Sequence, residues 1–453
     1  MTYYVLKPEN TIHFGADLDA AFLGELLSGY TQGTVFSVIA DAAAHTVLIG
    51  ESVDTALMPN GADEAVMDVT ERGIRIAGQN TAAAVRGFIT MLERIEYDRA
   101  SDSFRIPCGR VEEAPCMAFR SVHLCLFPET SLRFIQKCIR ACGVAKYSHI
   151  VLEFWGMLKF DCMPELAWPF AHSKEDIRPL IAEAKALGME IIPMFNHLGH
   201  ASSSRMVYGK HVVLDQNPRL EYLFTMHGWE WDFESEEVYE LLSNVRRELI
   251  ELCGEGSYFH LGCDEAYSLG YGENRAEGLC RYLNRIAAEL AEQGRHVIIW
   301  GDMLLLRREY VNEPQRYACN MVDEQIYSTL INGLDKNIII ADWQYNLTCD
   351  VWKSSTALKA EGFEIICCPW DNPDNVNAAI ANAKNQGLLG IMHTTWHTLT
   401  KGFPVMIYSG KVAYSGKAEI KPREIRPYAS EVARHVLPAQ GLYEDTGWSA
   451  NGL

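Results

Sequence analysis

Tyr258-Phe259-His260-Leu261-Gly262-Cys263-Asp264-Glu265 runs from an apolar strand pattern directly into two adjacent carboxylates. A strand that delivers acids at its C-terminal end points to a parallel α/β architecture, where functional side chains gather as strands stop and loops begin. Extended backbone sends neighbouring side chains in different directions, so two acids there can meet one ligand in two roles. One donates a proton while the other stays charged. Taken alone, the pair also suits a helix start, with Asp264 as N-cap and Glu265 in the first turn.

The same rhythm repeats on both sides of this stretch. From Phe119 onward, strand patterns at 120–124, 149–154, 190–195, 258–262, 296–300, 337–342, 364–369 and 390–396 alternate with helical patterns such as 174–187 and 236–253. The strands are aliphatic and β-branched runs of the kind buried on both faces, and the helices carry charged faces. Eight such units over roughly 290 residues predict an α/β fold of the (β/α)8 TIM barrel type, for which about 250 is typical. An open doubly wound sheet is the competing architecture, but no G-x-G-x-x-G follows a first strand.

Before the barrel, 73–78 alternates like a half-buried strand, and Thr81 is placed to cap a helix over 82–91. A small α+β domain over residues 1–114 is expected, ending at the connector Glu112-Glu113-Ala114-Pro115. The barrel and a C-terminal helical extension then take residues 115–453.

Composition narrows the function classes. A chain of 453 residues with 48% hydrophobic content buries a large core, and a formal charge of -19 disfavours nucleic acid and anionic membrane surfaces. No run reaches the roughly 20 apolar residues of a membrane span, and the first residues lack a signal-peptide pattern. The 13 cysteines show no C-x-x-C pair, so neither a disulfide framework nor a structural metal is expected. A cytoplasmic protein with a neutral small-molecule partner is the expectation.

If the barrel forms, chemistry should collect at the strand ends. Those ends carry Glu153 and Trp155, Asn196 with His197 and His200, Asp264 and Glu265, Trp300 and Asp302, Trp343 and Tyr345, Trp370 and Asp371, and His393 with Trp396. An aromatic rim with acids among it suits a sugar, whose C–H faces stack on indole and whose hydroxyls need polar partners. Glu153, Trp370 and Asp371 are assigned to substrate binding on this ground alone.

At these residues the chain resembles the glycoside hydrolase family 20 β-N-acetylhexosaminidases, whose signature His-x-Gly-(Gly or similar)-Asp-Glu is matched from His260 to Glu265. Further matches are Ile192-Pro193 to Gly199-His200-Ala201, Trp300-Gly301-Asp302-Met303, Trp343-Gln344-Tyr345 and Thr394-Thr395-Trp396. Phe119-Arg120-Ser121-Val122-His123-Leu124 looks like the family's first barrel strand, and Ile74 through Leu92 like part of its preceding α+β domain.

The resemblance implies a retaining, exo-acting hydrolase of small glycans with terminal β-linked N-acetylhexosamine, needing no cofactor. The sugar's own 2-acetamido oxygen is the nucleophile, through an oxazolinium ion. Asp264 would orient the acetamide and steady positive charge, and Glu265 would be the proton donor and later the base. Arg120 would hold ring hydroxyls, Tyr345 would donate to the acetamide oxygen, Trp300, Trp343 and Trp396 would enclose the sugar, and His200 would stand beside the acids. Arg120 also suits an ion pair supporting the strand end. The chain departs from the family at Met194-Phe195-Asn196-His197-Leu198-Gly199-His200, at Asn346-Leu347 and at Thr398, where acids that read O4 and O6 are missing.

Two other readings use the same residues. His197 with His200, and His393 with His397, would hold a divalent metal for a metal-assisted hydrolase, although such spacings converge only on a helix and H-E-x-x-H is absent. A non-catalytic sugar-binding barrel would keep the aromatic rim without turnover. The long aromatic loop 202–231 would cap the pocket or meet a second copy of the chain in a homo-oligomer.

Overall fold

The computed structural model describes residues 2–41, 43–50, 57–128, 130–202, 213–225, 228–270 and 274–437. Eight parallel strands close into a barrel in chain order: Phe119–Leu126, His149–Phe154, Glu190–Met194, Tyr258–His260, His296–Trp300, Ile339–Trp343, Ile365–Cys368 and Gly390–Thr394. Ser121 lies opposite His149 in the first pair, and Phe119 opposite Gly390 where the last strand meets the first. Each strand is followed by a helix: Leu132–Val144, Lys174–Ala186, Glu236–Cys253, Arg275–Ala291, Glu324–Gly333, Lys353–Ala360, Pro373–Gln386 and Leu399–Ser415. This is the (β/α)8 barrel expected from the alternation.

Four strands stop short of their sequence patterns, at Met194, His260, Cys368 and Thr394. There the chain bends into the mouth, where single backbone bonds such as Phe195 N–H to the His260 carbonyl (3.1 Å) replace the ladder. Period-two alternation fills the interior in layers. Phe119 forms the floor, its ring 4.5 Å from His149 and 5.4 Å from Tyr258. Val151, Ile192, Ile298, Ile339, Ile366 and Met392 pack within the same buried cluster. The alternation that puts Ile298 and Ala341 there carries Trp300 and Trp343 to the mouth, whereas Trp396 follows the end of the last strand in left-handed backbone (φ 46°) and packs on the same cluster.

The N-terminal part holds a six-stranded sheet in the order Ser37–Asp41, Thr11–Gly15, Thr46–Gly50, Gly73–Gly78, Ala65–Thr70, Gly109–Glu113. Helix Thr81–Glu93 is buried from Ala83 to Leu92 because it packs on this sheet and meets Leu132–Val144 of the barrel. Its cap is Asn80, whose side chain accepts from Ala83 N–H at 2.8 Å; Thr81, the expected cap, donates its hydroxyl to Asp17 at 2.6 Å. Helix Ile425–Val436 extends the barrel and packs on Ala20–Tyr30 and Leu132–Val144. All 13 cysteines are free thiols. Among the described residues no helix is long and apolar enough to cross a membrane.

Candidate active site

After the fourth barrel strand the chain passes through left-handed backbone at Gly262 (φ 71°), Cys263 (φ 73°) and Glu265 (φ 53°). A non-glycine residue there costs on the order of 1 kcal/mol, so the turn persists only where its surroundings hold it. They do so on both sides of Glu265: its N–H donates to Asp302 Oδ2 at 3.0 Å, and its carbonyl accepts from Trp229 Nε1 at 2.9 Å. No helix begins at Asp264; a short 3₁₀ turn, Tyr267–Gly270, precedes helix Arg275–Ala291, so the acid is not a helix cap. Two glycines permit the close packing. A Cβ at Gly199 would lie 2.0 Å from the Asp264 carbonyl oxygen, and one at Gly262 would lie 1.6 Å from Asn196 Oδ1.

The two acids meet at His200, whose Nε2 lies 3.3 Å from Asp264 Oδ2 and 3.0 Å from Glu265 Oε2. Asp264 is buried, whereas the Glu265 side chain keeps 30% of its surface exposed. His200 is itself left-handed (φ 59°) and packs its ring 4.2 Å from Trp229. Beneath them Asp302 is buried and accepts from Asn320 Nδ2 at 2.9 Å and Trp343 Nε1 at 3.1 Å as well as from Glu265 N–H. Burial, reinforced by the charge of Asp264, pushes the Asp302 carboxyl up to about 6.

The wall beside the acids is aromatic. Ring centroids are 5.3 Å apart for Trp300 and Trp396, 5.3 Å for Trp343 and Tyr345, and 5.2 Å for Tyr345 and Trp370. Trp300 is fully buried, while Trp343, Tyr345, Trp370 and Trp396 are half-buried. Trp396 Nε1 donates to the Tyr345 oxygen at 2.7 Å. Burial, with the Asp264 charge adding to it, holds the Tyr345 phenol well above its ordinary range, so it stays a neutral donor. Trp370 Nε1 donates to Thr398 Oγ1 at 3.0 Å, and Asp371 lies 3.7 Å from Lys401 Nζ at the rim.

Two expected site residues take up other partners. Arg120 lies at the N-terminal end of the first strand, away from the mouth, where its guanidinium donates to the carbonyls of Lys146 (3.0 Å), Met117 (2.5 Å) and Ala118 (3.0 Å). Its position in the strand decides this, since the mouth is formed by the opposite strand ends, and it supports the strand through backbone carbonyls rather than through an ion pair. Glu153 is buried, and its carboxylate takes His123 Nε2 (2.9 Å), Trp155 Nε1 (3.0 Å) and Asn196 Nδ2 (3.1 Å), so it supports the site through protein donors.

The members of each histidine pair lie in different surroundings. His197 is buried with Nδ1 2.6 Å from the Phe195 carbonyl, and His393 is buried while His397 is exposed. Burial, with the His123 charge, pulls the His393 imidazole down to about 3. Among the described residues, the grouping with ligand-type atoms within 4.8 Å of one another is His123, Cys125 and Glu153.

Trp229 and Tyr267 belong to no motif in the sequence. The aromatic loop 202–231 is the available signal for Trp229, and proximity to Glu265 the only one for Tyr267. Residues 203–212 and 226–227 of that loop lie outside the described residues. Its described part holds the short helix Val213–Gln216, the 3₁₀ turn Pro218–Leu223 and the pairing of Phe224–Thr225 with Glu230–Trp231, which packs beside the turn that carries Asp264 and Glu265.

The model of the glycosyl hydrolase family 20 catalytic domain matches residues 165–402, more than half of the chain. Beta-hexosaminidase subunit A1 of Dictyostelium discoideum is 24% identical over 229 residues, covering 47% of this chain and 41% of that protein. The probable beta-hexosaminidase fdl of Drosophila melanogaster is 23% identical over 263 residues, covering 51% and 39%. The chain thus spans about two fifths of the length of the curated relatives it matches. Among solved structures, the chitobiase of Flavobacterium johnsoniae superposes with a TM-score of 0.66 at 15% identity, covering 96% of this chain and 70% of that one. The β-N-acetylhexosaminidase of Streptomyces coelicolor A3(2) does so with a TM-score of 0.65 at 15% identity, covering 96% and 93%. The chain belongs to glycosyl hydrolase family 20.

Proposed function

We propose that the chain is a β-N-acetylhexosaminidase that removes a terminal β-linked N-acetylhexosamine from small glycans with retention of configuration. The observation that carries this reading is the convergence of buried Asp264 and part-exposed Glu265 on one His200 nitrogen beside an aromatic wall. Glu265 reaches the glycosidic oxygen and gives it a proton as the C1–O bond breaks. The acetamide oxygen closes on C1, so no carboxylate nucleophile is needed, the scheme that sets family 20 apart from two-carboxylate glycosidases. Asp264 accepts the acetamide N–H and steadies the positive oxazolinium, and Tyr345 donates to the acetamide oxygen. Water then adds at C1 and gives its proton to Glu265, restoring the β configuration.

The thirteen free thiols support a reducing, cytoplasmic setting for this activity. Rates on paired p-nitrophenyl β-glycosides with and without the 2-acetamido group test the assisting amide, and equal turnover of the two would remove it. Glu265→Gln is expected to lower turnover of a glycoside with a poor leaving group by about 10²- to 10⁴-fold, the usual worth of a positioned acid.

A further inference from the structure

Behind the aromatic wall, the first two barrel strands bring together an imidazole, a thiol and a carboxylate. His123 and Cys125 are two residues apart on Phe119–Leu126 and share the inward face of Phe119. Cys125 is the ladder partner of Glu153 on His149–Phe154, and all three side chains are buried. His123 Nε2 lies 2.9 Å from Glu153 Oε2, and Cys125 Sγ lies 3.4 Å from each of those atoms. Zinc bonds of about 2.0–2.3 Å at tetrahedral angles hold nitrogen, oxygen and sulfur donors roughly 3.3–3.5 Å apart. The triangle needs only to open slightly on its His123–Glu153 edge and the Cys125 side chain to turn toward the ion.

The donor set also balances charge. A thiolate and a carboxylate neutralise a divalent cation, and a neutral imidazole adds none, so the buried assembly carries no net charge. Thiolate and imidazole select zinc over magnesium and calcium, which take oxygen ligands. Outer contacts that orient a ligand are present as well: Glu153 accepts from Trp155 Nε1 at 3.0 Å and from Asn196 Nδ2 at 3.1 Å. Asn196 Oδ1 is buried and has no donor among the described residues, which suits a water in the fourth position of the tetrahedron. We propose that His123 Nε2, Cys125 Sγ and Glu153 Oε2 form a structural zinc site. On binding, the thiol proton leaves to solvent, the imidazole proton sits on Nδ1, and no electron is transferred. The His123 ring lies edge-on to Trp300 and Trp396, with centroids 5.8 and 4.9 Å away, so an ion that fixes this imidazole also steadies both indoles. The inference stands apart from the hydrolase reading, because neither Asp264 nor Glu265 is among the ligands.

Cobalt(II) reports on the site, because a cysteine thiolate bound to cobalt absorbs in the near ultraviolet. The wild-type chain, free of affinity-tag histidines and stripped with a chelator, should develop this band with about one equivalent of cobalt, and zinc should then abolish it. Zinc added directly to the stripped chain should release about one proton per ion at neutral pH. Cys125→Ser should lose the band and bind zinc more than about 10²-fold more weakly, since even outer contacts of a metal ligand are worth 10- to 100-fold. Cys349→Ser, which removes the exposed thiol, should keep both properties. A wild-type chain without the band, or a band that survives Cys125→Ser, overturns the site. If Cys125→Ser does not fold, crystals of the wild-type chain grown with zinc decide instead. An anomalous difference peak between His123, Cys125 and Glu153 is the expected result, and no peak there overturns the proposal.

Discussion

Asp302 binds the parts of the site together although it touches no proposed substrate atom. Its two oxygens receive the Glu265 N–H, the Trp343 indole and the Asn320 amide, so one carboxylate fixes the backbone of the proposed proton donor and part of the aromatic wall. Its pKa is raised from 3.8 to about 6. Between about pH 4 and pH 6 the folded chain therefore keeps a proton that the unfolded chain has released. The associated stability is fully present below pH 4 and is lost as pH rises to 6, amounting to roughly 3 kcal/mol. Urea unfolding at pH 4, 5 and 6 should show the wild-type chain losing stability relative to Asp302→Asn across that window, and the opposite slope would exclude this carboxyl. Sequence made Asp302 legible as part of a Trp-Gly-Asp run, but not its bond to the backbone of Glu265, 37 positions earlier.

At the scale of elements, the turn that carries Asp264 and Glu265 depends on what packs against it. Of the described non-glycine residues with positive φ, His200, Cys263, Glu265 and Trp396 stand together at the mouth. Such backbone conformations are held by neighbouring segments rather than by the local sequence. Gly199→Ala tests this directly, because its new Cβ would press within 2.0 Å of the Asp264 carbonyl oxygen and shift the acids. A displacement of about 1 Å predicts a loss near 10²-fold in kcat. Wild-type kcat in the Gly199→Ala variant would show that the turn tolerates movement. The aromatic positions were more readable: alternation along the strands brings Trp300 and Trp343 to the mouth, while Trp396 reaches it from the turn beyond its strand. The 3₁₀ turn at Tyr267 and the hairpin carrying Trp229 have no such periodicity, so nothing local announced them.

Over the whole molecule, the N-terminal sheet is fastened to the barrel by buried charge. Lys146 Nζ lies 2.8 Å from Glu113 Oε2 and also bonds Thr90, joining the loop before the second barrel strand to the last sheet strand and to helix Thr81–Glu93. Arg140 similarly bridges Glu183 and Glu25 at 2.8 and 2.7 Å. Lys146→Met should lower stability by about 3–5 kcal/mol by stranding Glu113, and adding Glu113→Gln should recover most of that loss. Denaturant midpoints of the two variants check it; a double variant no better than the single one would place the loss in packing instead. The order of eight strands and helices, and the acids at the end of the fourth, were determined by sequence alone, because apolar periodicity and chain order are local properties. Only the closed tertiary structure decided which end of its strand Arg120 serves, that Glu153 faces protein donors, and that Asp302, Trp229 and His200 converge on one turn. Those contacts join residues far apart in the chain, and their geometry is set by barrel closure rather than by any neighbouring pattern.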